Sequence, residues 1–308
     1  QTCALPIYTG SAGHVGLQSL VRPATVCTSP SVQPILVLLG QPVAGNPAQF
    51  MMERAFARHD MDWRYLSLDV APEDLGDAVR GIRAMGFRGG NCAATHRQAV
   101  VALMDRTGDV ARHIGAVNCI LRDHHDLVGE NTEGRGVIGS LLRRIDPAGK
   151  RVVLLGAGQM ARAVGVELAL AKAAEIIVAN RSEARGRDLV ELLAGPLATP
   201  ASLVVWEGEY AVPPDVQILV SAISPPCNEP DEALPLNLDH VNDQTIVVDV
   251  SYNPPCTWLV RQAAERGAAT IEGLEVFIEQ ASFDFRLWTG VDPDPVVMRE
   301  AVEEFLEL

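Results

Sequence analysis

Two glycines one residue apart, Gly156 and Gly158, with Ala161 three residues on, make a turn able to hold a pyrophosphate. Gly156 permits the tight turn, Gly158 lets the backbone come close to the phosphates, and Ala161 takes the third small position. Gln159 and Met160 open the helix, whose free N–H groups and positive dipole end suit an anion. The context supports this reading: the turn lies within Val152-Val-Leu-Leu-Gly-Ala-Gly-Gln-Met-Ala-Arg-Ala163, apolar run first and alanine-rich helix after. A second apolar run, Ile176-Ile-Val-Ala179, ends in Asn180-Arg181-Ser182, where an NAD site normally carries Asp or Glu for the ribose hydroxyl. A carboxylate would repel a 2′-phosphate and a guanidinium would pair with it. Asn180 and Arg181, with Arg185 one helical turn on, therefore predict NADP(H). The bland alternative is a tight turn in any α/β domain.

The elements that must carry such a site alternate along the chain. Ile35-Leu-Val-Leu-Leu39 predicts a strand ended by Gly40-Gln-Pro42, and residues 49–59 carry Phe50, Met51, Ala55 and Phe56 at helical spacing. Residues 63–68 alternate like a second strand and 72–82 resume a helical pattern, an order that implies parallel pairing. A short strand follows Gly86–Asn91, with a helix expected from about His96. Residues 115–120 and 127–131 predict a hairpin turning at Asp123-His-His-Asp126, and 137–144 a helix. Beyond the nucleotide strand, 202–206, 216–221, 245–250 and 269–271 read as strands, and 276–287 and 296–308 as amphipathic helices. The fold class expected is α/β in two domains. Residues 32–133 with 272–308 form a substrate domain, and 134–271 a doubly wound dinucleotide-binding domain.

Composition narrows the partners. The 308 residues, 48% hydrophobic, can bury two cores, and a net charge of −14 argues against nucleic acid or an anionic membrane as partner. No run approaches a membrane span. Six scattered cysteines (Cys3, Cys27, Cys92, Cys119, Cys227, Cys256) show neither C-x-x-C nor zinc-type spacing, so reduced thiols of a cytoplasmic protein are expected. His124 and His125, adjacent on a polar turn, are read as solvated, and no metal site is expected. The opening Gln1-Thr-Cys-Ala-Leu-Pro-Ile7 matches an in-frame translation of a common sequencing-adapter oligonucleotide, and residues 1–31 are expected to lie outside the fold.

Further motifs bring the chain to a family. Asn91-Cys-Ala-Ala-Thr-His-Arg97, Gly115-Ala-Val-Asn118, Gly129-Glu-Asn-Thr-Glu-Gly134, Asp249-Val-Ser-Tyr-Asn-Pro254 with Thr257, and Gly273–Gln280 running on to Leu287-Trp-Thr-Gly290 occur in that order. Over residues 35 to 308 the chain resembles the shikimate dehydrogenase family. The resemblance implies NADPH-dependent reduction of 3-dehydroshikimate or a close cyclic relative, in a cleft between the two domains, by a monomer or homodimer. It also implies that the last helices return to pack on the first domain.

The resemblance assigns roles and exposes departures. The family polarises the ketone and moves the proton with a Lys–Asp pair; this chain carries Arg97 and Glu133 there. Arginine stays protonated, so Arg97 can stabilise an oxyanion but is a poor proton shuttle. Glu133 is left to orient or exchange the proton. Asn91, Asn118, Tyr252 and Gln280 match positions that contact substrate hydroxyls or carboxylate. The two serines that grip the substrate carboxylate are missing from the turn Gly40-Gln-Pro-Val-Ala-Gly-Asn-Pro47, and a threonine is replaced by Ala93, so either Asn46 substitutes or the substrate differs. Quinate, an aminoshikimate or a carboxylate-free cyclitol are the alternatives, as is a catalytically silent NADP(H)-binding protein. Each residue also has a structural alternative: Asn91 as a loop or cap residue, Asn118 as a cross-hairpin bond, Glu133 as a helix N-terminal carboxylate, Arg97 as a solvated cation, and Tyr252 and Gln280 as packing groups.

Overall fold

The computed structural model describes residues 32–223, 232–254 and 256–308. The expectation for residues 1–31 lies outside the described residues. Two six-stranded sheets organise the rest.

The first sheet is built from β1 (Ile35–Gly40), β2 (Arg64–Asp69), β3 (Gly89–Cys92), β4 (Arg106–Thr107), β5 (Cys119–Asp123) and β6 (Asp126–Glu130), in the order β2-β1-β3-β5-β6-β4. Helices α1 (Ala48–Arg58) and α2 (Leu75–Ala84) make the first crossovers, and β1 pairs in parallel with both β2 and β3. Its unbroken apolar run follows from burial on both faces. Leu36 and Leu38 pack with Met51, Met52 and Phe56 of α1, while Val37 and Leu39 pack with Val79 and Ile82 of α2. The hairpin forms as expected: β5 and β6 are antiparallel, with Asp123 opposite Asp126 and both histidines exposed at the turn.

The second sheet contains β7 (Arg151–Leu155), β8 (Glu175–Asn180), β9 (Ala201–Val205), β11 (Ile218–Ser221), β13 (Ile246–Asp249) and β14 (Ala269–Ile271). All neighbours are parallel, in the order β14-β13-β11-β7-β8-β9. Counted from β7 this is the 3-2-1-4-5-6 order of dinucleotide-binding folds, with its switch point at β7. Helices α5 (Gln159–Leu170) and α6 (Glu183–Ala194) follow β7 and β8, and α7 (Trp258–Glu265) precedes β14. Val152 and Leu154 face the α5 side, Val153 and Leu155 the α7 side. A short pair, β10 (Tyr210–Ala211) and β12 (Leu236–Asn237), stands apart.

Helices α4 (Glu133–Leu142) and α8 (Gly273–Thr289) join the sheets, and α9 (Pro295–Leu306) packs on α1 and α8 at the first of them. Ile278, Phe285 and Trp288 of α8 pack with α1 and β1, and the Trp288 indole donates to the Ile120 carbonyl at 3.0 Å. Val276, on the same helix, joins the core of the second sheet. The C-terminal return is therefore present. Helix α4 is glycine-rich against helix propensity because its neighbours touch its backbone. A Cβ on Gly134 would lie 2.5 Å from the Ala163 carbonyl of α5, and one on Gly136 would lie 2.3 Å from the Val276 carbonyl of α8. The N-terminus of α4 is thus clamped beside the nucleotide helix.

The helix expected near His96 does not form. Residues 94–98 make turns and only a 3-10 segment, Ala99–Leu103, follows. The Arg97 carbonyl, which an α-helix would pair with residue 101, instead accepts the Val117 N–H at 2.8 Å. Composition alone did not announce α3 (Asp109–Ile114), α7, β4, β10 or β12.

Candidate active site

The predicted residues converge at the C-terminal ends of the parallel strands, where open α/β sheets hold their ligands. Arg97 leaves the segment after β3, Asn118 enters β5, Glu133 starts α4 and Tyr252 follows β13. Gln280 reaches inward from α8.

The central contact is an ion pair. Arg97 Nη1 lies 2.6 Å from Glu133 Oε1; the glutamate side chain is 1% exposed and the arginine 21%. Arg97 Nε also donates to the Cys92 carbonyl at 3.3 Å. Glu133 Oε2 is buried with no hydrogen-bond partner among the described residues. A buried carboxylate oxygen left open beside a guanidinium is costly unless something donates to it. A reacting hydroxyl is the fitting donor. Tyr252 faces the same arginine: burial pushes its phenol up and Arg97 partly offsets the effect, while its ring stacks on Phe277 with centroids 5.0 Å apart.

Behind the pair lies a polar network. Asn118 Nδ2 donates to the Thr132 hydroxyl at 3.0 Å, and Asn118 Oδ1 accepts the Thr132 N–H at 2.7 Å. Asn91 Nδ2 donates to the Asn118 carbonyl at 3.1 Å and to Asp284 Oδ2 at 2.9 Å, and Asn91 Oδ1 accepts from the Tyr65 hydroxyl at 2.7 Å. Both N–H groups of Asn91 are therefore spent inside the protein, leaving it an acceptor. Burial pushes the Asp284 carboxyl up to about 6, opposed by Thr132, Asn91, Cys119 and Gln280. The same burial pushes the Cys92 thiol up to about 12 and raises Cys119, so neither is a nucleophile at neutral pH.

Sequence reasoning missed Tyr65, Thr132 and Asp284. Asp284 left a signal: it lies four residues after Gln280, on the face of α8 that also buries Ala281, Phe285 and Trp288. A carboxylate in an apolar helical stripe marks a buried polar site. Asn46, considered as a replacement carboxylate ligand, accepts the Ala48 N–H on its Oδ1 at 2.9 Å at the start of α1, which leaves its Nδ2 as a donor.

The nucleotide side is simpler. Gly156 has φ +104°, and a Cβ there would sit 2.9 Å from the Ala222 carbonyl, so the turn requires glycine. Gly158 precedes α5, and a Cβ on it would meet nothing within 4 Å, leaving the open approach that a pyrophosphate needs. Gln159 and Met160 form the first turn and Ala161 is fully buried. Asn180 ends β8 and donates to the Ser182 carbonyl at 2.7 Å; Ser182 caps α6 by accepting from the Arg185 N–H. The guanidinium groups of Arg181 and Arg185 have no ion-pair partner among the described residues. These groups fit a phosphorylated dinucleotide: glycines for its pyrophosphate and two free cations where a 2′-phosphate would lie.

Among the described residues no cluster of three metal-ligating side chains occurs, and no helix is long and apolar enough to cross a membrane.

Comparison with known proteins agrees with this architecture. Residues 38–120 match the shikimate dehydrogenase substrate binding domain, 141–228 match shikimate / quinate 5-dehydrogenase, and 273–303 match the shikimate 5'-dehydrogenase C-terminal domain. A shikimate dehydrogenase (NADP(+)) of Geobacter metallireducens is 36% identical over 276 residues, covering 87% of this chain and 95% of the relative. Two solved structures are close. The ligand-free 5-ketofructose reductase of a Gluconobacter species has TM-score 0.86 and 36% identity, over 89% of this chain and 99% of that one. Shikimate 5-dehydrogenase of Listeria monocytogenes, in complex with shikimate and NAD, has TM-score 0.80 and 27% identity, over 87% and 96%. With three matching domain models in order and relatives at this identity over nearly the whole described chain, the protein belongs to the shikimate dehydrogenase family.

Proposed function

We propose that the protein is an NADP(H)-dependent dehydrogenase that interconverts a ketone and a secondary alcohol on a neutral, polyhydroxylated substrate. The observation that carries the chemistry is the buried Arg97–Glu133 pair with Glu133 Oε2 open. Residues 134–271 would carry the dinucleotide, through Gly156, Gly158, Gln159, Met160, Ala161, Asn180, Arg181 and Arg185. Residues 32–133 with 272–308 would carry the polyol. The reduced nicotinamide supplies hydride to the ketone carbon.

The chain's own residues handle the oxygen. Arg97, always a cation, stabilises negative charge growing on the carbonyl oxygen. In the oxidative direction Glu133 Oε2 accepts the hydroxyl proton as hydride leaves the same carbon; in the reductive direction the carboxyl returns it. Asn118 and Gln280 bind neighbouring hydroxyls, Asn91 contributes an acceptor, and Tyr252, stacked on Phe277, closes the site beside Arg97.

The neutral substrate is inferred from the missing hydroxyls. The Gly40–Pro47 turn has no hydroxyl side chain and Ala93 packs at Gly40. With Asn46 Oδ1 held by the Ala48 N–H, the side-chain donors of this turn are the neutral amide nitrogens of Gln41 and Asn46, which suit a hydroxyl better than a carboxylate that must give up its water. The similarity to 5-ketofructose reductase supports the same class. A second reading, reduction of 3-dehydroshikimate to shikimate, is favoured by the name and identity of the Geobacter relative. Steady-state assays with NADPH and 5-ketofructose, and with NADP(+) and shikimate, quinate and simple cyclitols, separate the two. A higher kcat/KM for 5-ketofructose or cyclitols supports the neutral-substrate reading, and a higher value for shikimate establishes the second. NADPH binding without turnover of any of them overturns both and leaves a silent nucleotide-binding protein.

A further inference from the structure

Asp284 is 2% exposed, and among the described residues no Lys or Arg nitrogen lies within ion-pair distance of it. A lone buried carboxylate is expensive unless its surroundings are polar. Here they are. Oδ2 accepts from Asn91 Nδ2 at 2.9 Å, while Oδ1 is buried with no hydrogen-bond partner among the described residues. The Thr132 hydroxyl, the Gln280 amide and the Cys119 thiol surround the carboxylate and favour its charge. From β2 the Tyr65 hydroxyl, with its acidity suppressed, donates to Asn91, and from β3 the Cys92 thiol stands behind.

The Thr132 hydroxyl has one proton and two acceptors. It lies 3.3 Å from Asn118 Oδ1 and also faces Asp284. When Asp284 is ionised, the proton turns to the carboxylate and the hydroxyl oxygen is free to accept Asn118 Nδ2, the 3.0 Å contact. When Asp284 is protonated, that pull is lost and the hydroxyl turns toward Asn118 Oδ1. Asn91 is affected directly, because its second N–H donates to Asp284 Oδ2, which accepts more strongly as a carboxylate than as a protonated carboxyl.

We propose that Asp284 is a positioning residue for the substrate-binding amides: through Thr132 and directly through Asn91, its ionised carboxylate holds Asn118 and Asn91 in one donor and acceptor arrangement. This deepens the function proposed above and rests on its assignment of Asn118 and Asn91 to hydroxyl binding. Asp284 itself does not touch the reacting atoms. With its carboxyl raised to about 6, the arrangement is set at pH 7.5 and loosens on acidification.

The test uses the full chain with NADPH bound and needs no substrate to begin. Side-chain amide resonances of Asn91 and Asn118, followed by NMR from pH 5 to 8, titrate together near pH 6 in the parent and become flat in Asp284→Asn. Amide resonances that do not titrate in the parent overturn the proposal, whatever the substrate is. Thr132→Val separates the two routes: the Asn118 titration disappears while that of Asn91 remains. Kinetics then use whichever of 5-ketofructose or shikimate the parent turns over. In Asp284→Asn KM rises about tenfold, the worth of one charge-assisted hydrogen bond, with kcat and the NADPH dissociation constant within about twofold. The acid limb of 1/KM near pH 6 vanishes. An unchanged pH profile in the variant overturns the proposal. Titrating amides in a protein that turns over neither probe would sink the substrate reading and leave the role of Asp284 standing. Should Asp284→Asn fail to fold, the parent titration and Thr132→Val still decide it.

Discussion

The two halves of the site solve opposite problems. On the nucleotide side the binding groups stand open: a glycine turn without side chains, a bare helix start, and two guanidinium groups with no partner among the described residues. Across the cleft the polar groups are mostly committed to one another, from Tyr65 through Asn91 and Asp284 to Thr132 and Asn118, with Glu133 Oε2 left open beside Arg97. A dinucleotide is large and brings its own charges, so backbone and a few cations suffice to hold it. A small hydroxylated substrate must be met by groups already fixed in direction, and a network that orders its own members provides this. Damage to the first side should therefore change affinity in small steps, while damage to the second should disturb several groups at once.

The largest effect is expected at the reacting atoms. Glu133→Gln keeps the shape and removes the proton acceptor, so kcat/KM should fall about 10²–10⁴-fold with NADPH affinity nearly unchanged, measured by steady-state kinetics and fluorescence titration. Equal losses in both would mean that the two sides are not separable. Arg97→Ala leaves Glu133 buried and unpaired, which should cost about 3–5 kcal/mol in urea unfolding; a loss under 1 kcal/mol would show that solvent already screens the pair.

Asp284 gives a pH signature of opposite sign to the usual paired carboxylate. The folded chain holds its proton to about pH 6 and the unfolded chain releases it near 3.8, so between these values folding takes up a proton. Relative to Asp284→Asn, the parent should gain stability as pH falls from 7 to 4, by at most about 3 kcal/mol, seen as converging or crossing unfolding midpoints. A parent that instead loses ground to the variant on acidification would contradict the burial argument. The smallest effect belongs to the open side. Arg181→Ala and Arg185→Ala should each weaken NADPH binding by about tenfold or less and leave NADH binding alone, since an exposed cation meets a phosphate through water and salt. A variant that weakens both cofactors equally would break the 2′-phosphate assignment.

How much of this was legible in the residues differs by element for physical reasons. Strand β1 could be read from Ile35–Leu39 because burial on both faces demands a continuous apolar run. The nucleotide turn could be read because Gly156 and Gly158 act through local backbone geometry within a few residues. The segment after His96 could not: the Val117 N–H takes the Arg97 carbonyl, a bond across 20 positions that no local pattern encodes. Asp284 was hidden for a similar reason, since its meaning depends on Asn91 and Thr132, which come from different elements.

The sequence by itself determined the alternation of elements, the phosphate-binding turn, the basic end of β8 and the presence of an Arg and a Glu where a catalytic pair belongs. The first three rest on periodicity or on contacts between near neighbours in the chain, and the Arg–Glu placement rests on the resemblance of the motifs around residues 97 and 133 to those of the family. Only the tertiary structure decided that Arg97 meets Glu133 at 2.6 Å, that Glu133 keeps one oxygen open, and that Asp284 lies buried without a cation beside the Asn91 amide. Burial and hydrogen-bond direction are properties of packing. They exist only once β3, β5, α4 and α8 have come together.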